Sequence, residues 1–379
     1  MPPSYVRIPA MLTLKMRTFF ALATAFVLSV SAHAQFEIQN SHTTASLRGI
    51  HSIGKGVAWA SGTEGTVLHT TDDGKTWQHC TTPPNANKLD FRGIQAFDRN
   101  TAIVMSSGKG DLSRIYKTTD ACKTWHLVLT NPDKDGFFDA MQFQPGTHYP
   151  AGRRGWLLGD PVDHHFVLMA TFDSGEHWQP VHQSGLAEPT GGGGAFAASN
   201  SLLLLGLPLY FATAQGWFYE GASDCTMGLV QEHPASCLTL FDFTRQQLPI
   251  AHGNETSGIF SIASNNDTVI AVGGDFKQPD QPQGTAAVSN DRGLNWNAAQ
   301  TPPHGYRSAV AYDAPTKTWI ATGPNGTDIS RDDGRNWTAL KPTAQDAPDA
   351  DNNWNALSLP FVAGPKGRIG KLHPETLKP

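Results

Sequence analysis

Cysteine is scarce in this chain. Only Cys80, Cys122, Cys225 and Cys237 occur, no two of them form a Cys-x-x-Cys pair, and no His/Cys cluster has ligand spacing. The one histidine pair, His164-His165, adjoins on a loop and would diverge on a strand. A zinc site has no ligand set to grow from, so no metal is expected. Charge is thin as well: 16% of residues are charged, with 33 acids against 28 bases. A nucleic-acid surface needs a basic excess, and that class is excluded. No Gly-x-Gly-x-x-Gly stands between a strand and a helix, so no cofactor is expected. Long hydrophobic runs are limited to one, from Phe19 to Val30, shorter than the ~20 residues that a membrane span needs.

That run reads as an export signal covering residues 1–34. Lys15 and Arg17 precede it and Ala32-His33-Ala34 supplies the cleavage site. Starts at Met11 or Met16 fit the same reading. The mature chain, residues 35–379, is expected to be a single domain, periplasmic or extracellular, that does not span a membrane. Cleavage removes Arg7, Lys15 and Arg17 and no acids from the 28 bases and 33 acids, leaving 25 against 33 and a net charge of −8. Exported cysteines usually pair. Local pairing of Cys225 with Cys237 is expected, which leaves Cys80 with Cys122 across adjacent repeats; spacing alone keeps all three connectivities open.

What the chain has in plenty is Gly (37), Pro (26) and Trp (10), a turn-rich all-β composition. It also repeats itself. Thr70–Trp77 reads TTDDGKTW, and the pattern recurs at 118–125, 171–178, 289–296 and 330–337. The template is Ser/Thr, any, Asp, any, Gly, any, small or polar, Trp; only Cys122 breaks it, at the Gly position. An Asp side chain accepts bonds from nearby backbone N–H groups, and Gly permits the positive φ of a tight corner. Asp72, Asp120, Asp173, Asp291 and Asp332 are therefore expected to be turn-formers rather than catalysts.

Upstream of each corner lies a short apolar strand ending in Gly: 57–62, 102–108, 155–159, 202–206, 269–273, 319–323 and 361–364. Another strand precedes each, beginning at Leu47, Phe91, Phe138, Ala195, Gly258, Tyr306 and Trp354. With one strand leading into each corner and one leaving it, every repeat has four strands, which predicts a seven-bladed β-propeller. The seventh repeat stops after its third strand at Leu372. Phe36–Gln39 is expected to supply the fourth and close the ring, which protects the sheet edges. The fourth blade reads as degenerate. It lacks the corner motif and carries an insertion rich in aromatics (Tyr210, Phe211, Trp217, Phe218, Tyr219) after the flexible joint Gly191–Gly194. That insertion reads as a surface loop, a lid or a partner surface.

In such a meander the first strand starts, and the second ends, on the face opposite the corners. Arg48, Arg92 and Arg307 therefore share a rim with Asp139, Asp160 and Asp275. Guanidiniums gathered at a channel mouth bind carboxylates or phosphates through paired N–H donors; alternatively, each Arg pairs with one of these aspartates between blades.

The eight-residue template resembles the Asp box, also called the bacterial neuraminidase repeat. With the xRGI inner strands (Leu47-Arg48-Gly49-Ile50, Phe91-Arg92-Gly93-Ile94), the export signal and the closing N-terminal strand, residues 36–372 resemble the photosystem II stability and assembly factor propellers. That resemblance implies a non-enzymatic scaffold that binds a protein or peptide, such as an envelope or membrane protein, through Arg48, Arg92 and Arg307. The Asp boxes also resemble those of sialidases, which implies the alternative: a sialidase- or glucanase-like glycoside hydrolase using Asp139, Asp160 or Asp275. A carbohydrate-binding propeller that stacks sugars on the aromatics of blade four lies between the two.

Overall fold

The structure is a computed structural model that describes residues 35–144, 152–189, 192–206, 208–222 and 240–378. The export signal and the Cys225–Cys237 pair expected from the sequence lie outside these residues. The described residues form seven sheets. Blade one is typical: Leu47–Gly54, Val57–Gly62, Val67–Thr70 and Gln78–His79 pair in sequence order. The innermost strands of successive blades lie side by side, and that of blade seven returns to that of blade one, so the ring is closed.

Second strands such as Val57–Gly62, Ala102–Ser106 and Thr318–Gly323 are buried almost throughout. This is why those strands read as continuous apolar runs instead of alternating ones. Trp59 and Trp319 are wholly buried in them.

Closure follows the expected route. Phe36–Gln39 pairs antiparallel with Ile369–Leu372, Phe36 opposite Leu372 and Gln39 opposite Ile369. Phe36 is buried, its ring 5.6 Å from that of Trp354. The Gln39 Oε1 accepts from Trp77 Nε1 at 2.8 Å, which ties the closing strand to the corner of blade one.

The five corners share one geometry. In blade one, Thr76 N donates to Asp72 Oδ1 at 2.9 Å, and Gly74 N donates to Thr70 Oγ1 at 3.0 Å. The same bonds recur around Asp120, Asp173, Asp291 and Asp332. Two successive residues turn left-handed at each, Asp73 (φ 67°) then Gly74 (φ 82°) in blade one. Cys122 adopts φ 59° where the other copies have Gly, and it is bonded to Cys80 of blade one.

The fourth blade corrects the expectation. Its innermost strand is Leu203–Leu204, followed outward by Leu209–Ala212, Trp217–Ala222 and Leu240–Gln247. His182–Ser184, from the tail of blade three, adds a fifth strand parallel to the last. The inner strand is thus not 195–198, and the leucine run is the first strand, not the second. The supposed aromatic insertion is the body of the blade. Phe211, Phe218 and Tyr219 are fully buried, with Phe211 stacked on Tyr219 at 4.4 Å and Phe166 of blade three edge-on to both. These rings occupy the core and offer sugars no stacking surface, whereas Trp217 is half-buried with the Arg245 guanidinium 5.3 Å over its ring. The corner motif does not occur in the sequence between its third and fourth strands, Trp217–Ala222 and Leu240–Gln247.

Candidate functional site at the channel mouth

The inner strands do more than line the channel. In blades one, two, three and five the first pair of strands shifts register by one residue near its rim end. The extra residues are Arg48, Arg92, Asp139 and Phe260. A bulge of this kind bends the strand and re-aims one side chain. The Gly after each arginine has a steric reason: a Cβ at Gly49 would lie 2.8 Å from Ser61 Oγ and 3.2 Å from Arg92 O. At Gly49 the bulged arginine is thus followed by a close approach of blade two, whereas a Cβ at Gly93 would lie 3.1 Å from Asn200 Oδ1 and from the Met105 side chain.

Arg48 and Arg92 face one carboxylate between them. Arg92 Nε donates to Asp90 Oδ2 at 2.9 Å, whereas Arg48 Nε stands 3.6 Å from Asp90 Oδ1, too far for a hydrogen bond. Arg92 also donates to Ala197 O at 3.2 Å. Both arginine side chains are about one-third exposed and line a cavity of about 350 Å³. The same cavity is lined by Phe196, Phe260, Phe276 and Tyr306, which sequence reading missed. One signal was available: Phe260 holds in its repeat the place that Arg48 and Arg92 hold in theirs.

Arg307 does not join them. Its side chain is fully buried and paired with Asp328, with Nε donating at 2.7 Å; it also donates to Asn325 Oδ1 at 2.6 Å. His304 Nδ1 lies 3.0 Å from Asp328 Oδ1. Burial would raise Asp328, but the His304 bond and the Arg307 charge outweigh it and hold its pKa below the ordinary value. Nearby Asp351 is pushed up to about 6 by burial. The rim triad thus reduces to two arginines, and none of Arg48, Arg92 and Arg307 is paired with its expected aspartate.

Asp139 and Asp160 meet each other. Asp139 is wholly buried against the Asp160 carboxyl with neither of its oxygens receiving a donor, and Asp160 Oδ1 accepts from Ala195 N at 2.8 Å. Burial, then the Asp160 carboxyl, push Asp139 well above the usual carboxylate range, and Arg92 offsets this only in part. Two ionised carboxylates in contact would leave both Asp139 oxygens without a donor; a proton held between them supplies one. Burial raises Asp160 as well, tempered by the Ala195 bond. Asp275 lies apart. It accepts from Thr256 Oγ1 at 2.7 Å and Lys277 N at 2.9 Å, and donors of this kind lower its pKa against the effect of burial.

The box aspartates sit at the opposite ends of the blades, between third and fourth strands. The bond from Thr124 holds Asp120 at about 2, and that from Asn295 does the same for Asp291. No group of three or more metal-ligating side chains occurs among the described residues.

No family model matches the sequence, and no curated protein does. Solved structures do match. This chain is similar to YCF48 bound to D1 peptide, at 16% identity over 90% of this chain and 97% of that one, with a TM-score of 0.57. YCF48 from Cyanidioschyzon merolae matches at 16% identity over 90% and 99%, TM-score 0.56. The extracellular domain of the putative one component system BT4673 from B. thetaiotaomicron matches at 10% over 89% of this chain and 40% of that one, TM-score 0.56. These likenesses establish the fold: a seven-bladed propeller similar to the YCF48 structures.

Proposed function

We infer that this propeller is an exported, non-enzymatic scaffold that holds a protein or peptide at the channel mouth opposite the Asp boxes. The observation that carries the reading is the pair Arg48 and Arg92, brought side by side on a single carboxylate. One acid against two guanidiniums leaves a positive charge and unfilled N–H donors at the edge of an open cavity, which suits a carboxylate on a partner. The similar structure of YCF48 bound to a peptide supports a peptide as occupant. In the test, Arg48→Ala with Arg92→Ala is compared with the unsubstituted protein for binding of Asp-bearing peptides by fluorescence anisotropy, with thermal unfolding as control. Binding should fall at unchanged stability; undiminished binding would sink the reading.

The hydrolase reading has a carboxyl pair in Asp139 and Asp160, but the two stand against each other, Asp139 wholly buried and Asp160 half-buried. Retaining and inverting hydrolysis call for roughly 5–5.5 Å or 6.5–9.5 Å between carboxyls, around a substrate or water. The geometry favours the scaffold.

A further inference from the structure

Beside the two guanidiniums, the mouth carries a second and chemically different wall. Phe260 stacks face to face on Phe196, with centroids 3.8 Å apart and planes 9° from parallel. Phe276 meets these rings edge-on at 6.1 and 6.4 Å, and Tyr306 meets Phe260 edge-on at 4.7 Å. Phe260 and Tyr306 are buried, whereas Phe276 is 44% exposed. The loop bearing Phe276 is pinned by the bonds that Thr256 and Lys277 make to Asp275. A large ring held in water by a fixed loop forgoes the gain of burial until something covers it. The cavity it shares with Arg48 and Arg92 has no acid in its lining.

We propose that the mouth is a two-part recognition site for a linear peptide segment in which an acidic side chain stands beside a large apolar one. The carboxylate sits on Arg48 and Arg92, and the apolar side chain packs against Phe196, Phe260 and Phe276. The proposal rests on the peptide-binding reading above and names the peptide's chemistry. Charge complementarity selects this occupant: two arginines sharing one carboxylate repel a basic segment, and the aromatic wall gives a purely polar one nothing to bury.

The probe is a panel of Gly/Ser peptides with Asp and Phe adjacent or separated by one or two residues, each matched by Phe→Ala and Asp→Asn counterparts. Binding to the full chain is read by fluorescence anisotropy. The best-spaced Asp–Phe peptide should bind roughly tenfold or more tighter than its Ala counterpart. Phe276→Ala, a change at a largely exposed ring, should erase that difference and leave the Ala counterpart's affinity unchanged; Arg48→Ala should weaken both. Equal affinity of Phe and Ala peptides for the unsubstituted protein overturns the aromatic subsite alone. Should no Asp peptide outbind its Asn counterpart, the peptide-binding reading fails with it. Sedimentation covers the other occupant: a dimer that Phe276→Ala converts to monomer would assign the wall to a second copy and overturn the proposal.

Discussion

Replacing Asp139 by Asn should stabilise this protein at neutral pH, although it alters a buried polar group. The folded chain holds the Asp139 carboxyl in contact with Asp160, away from water, with only Arg92 in opposition, so its pKa lies well above the usual value. An acid whose folded pKa is raised binds its proton more tightly in the folded than in the unfolded chain. Stability then falls as pH rises from the unfolded pKa, near 4, to the folded one, by about 1.4 kcal/mol for each pH unit in that window. Above the folded pKa the loss is complete. Asn keeps the shape and an N–H donor for Asp160 but does not titrate, so this component of the pH dependence vanishes. Urea unfolding from pH 4 to 8 would show it. The unsubstituted protein should lose stability with rising pH relative to Asp139→Asn, with equal m-values and the largest gap at the alkaline end. Parallel stability curves, or a variant less stable throughout, would refute a shared proton between Asp139 and Asp160.

Two further outcomes follow from the same geometry. Cys80→Ala with Cys122→Ala removes a crosslink between residues 42 apart and should cost roughly 4 kcal/mol by loop-closure entropy, measured by urea unfolding. Arg307→Ala leaves Asp328 buried without its guanidinium and should cost about 3–5 kcal/mol, whereas Arg48→Ala, partly exposed and weakly paired, should stay within about 0.5 kcal/mol; thermal unfolding of the two variants separates these cases.

The ring and its corners were legible because their causes are local. Thr70, Asp72, Gly74 and Thr76 satisfy one another within a single turn, so the pattern survives in the sequence wherever the corner is built. The closing strand was legible from what blade seven lacked. Arg307 was misplaced because its position in the repeat matched Arg48 and Arg92, while its burial depends on Asp328, contributed by another strand. Blade four misled for a related reason: a run of four leucines reads as a second strand, but here it is the innermost one, flanked by blades three and five, with only Leu202 and Leu203 buried. The aromatic wall is assembled from Phe196, Phe260 and Phe276 on three separate segments, and only the fold brings them to one cavity.

Photo-crosslinking tests the central claim most directly, that the channel mouth opposite the Asp boxes is the binding face. An Asp–Phe peptide bearing a photoreactive group should attach near Phe196–Ala198, Phe276 and Tyr306. Adducts concentrated at the corners, such as residues 70–77 or 330–337, would contradict it.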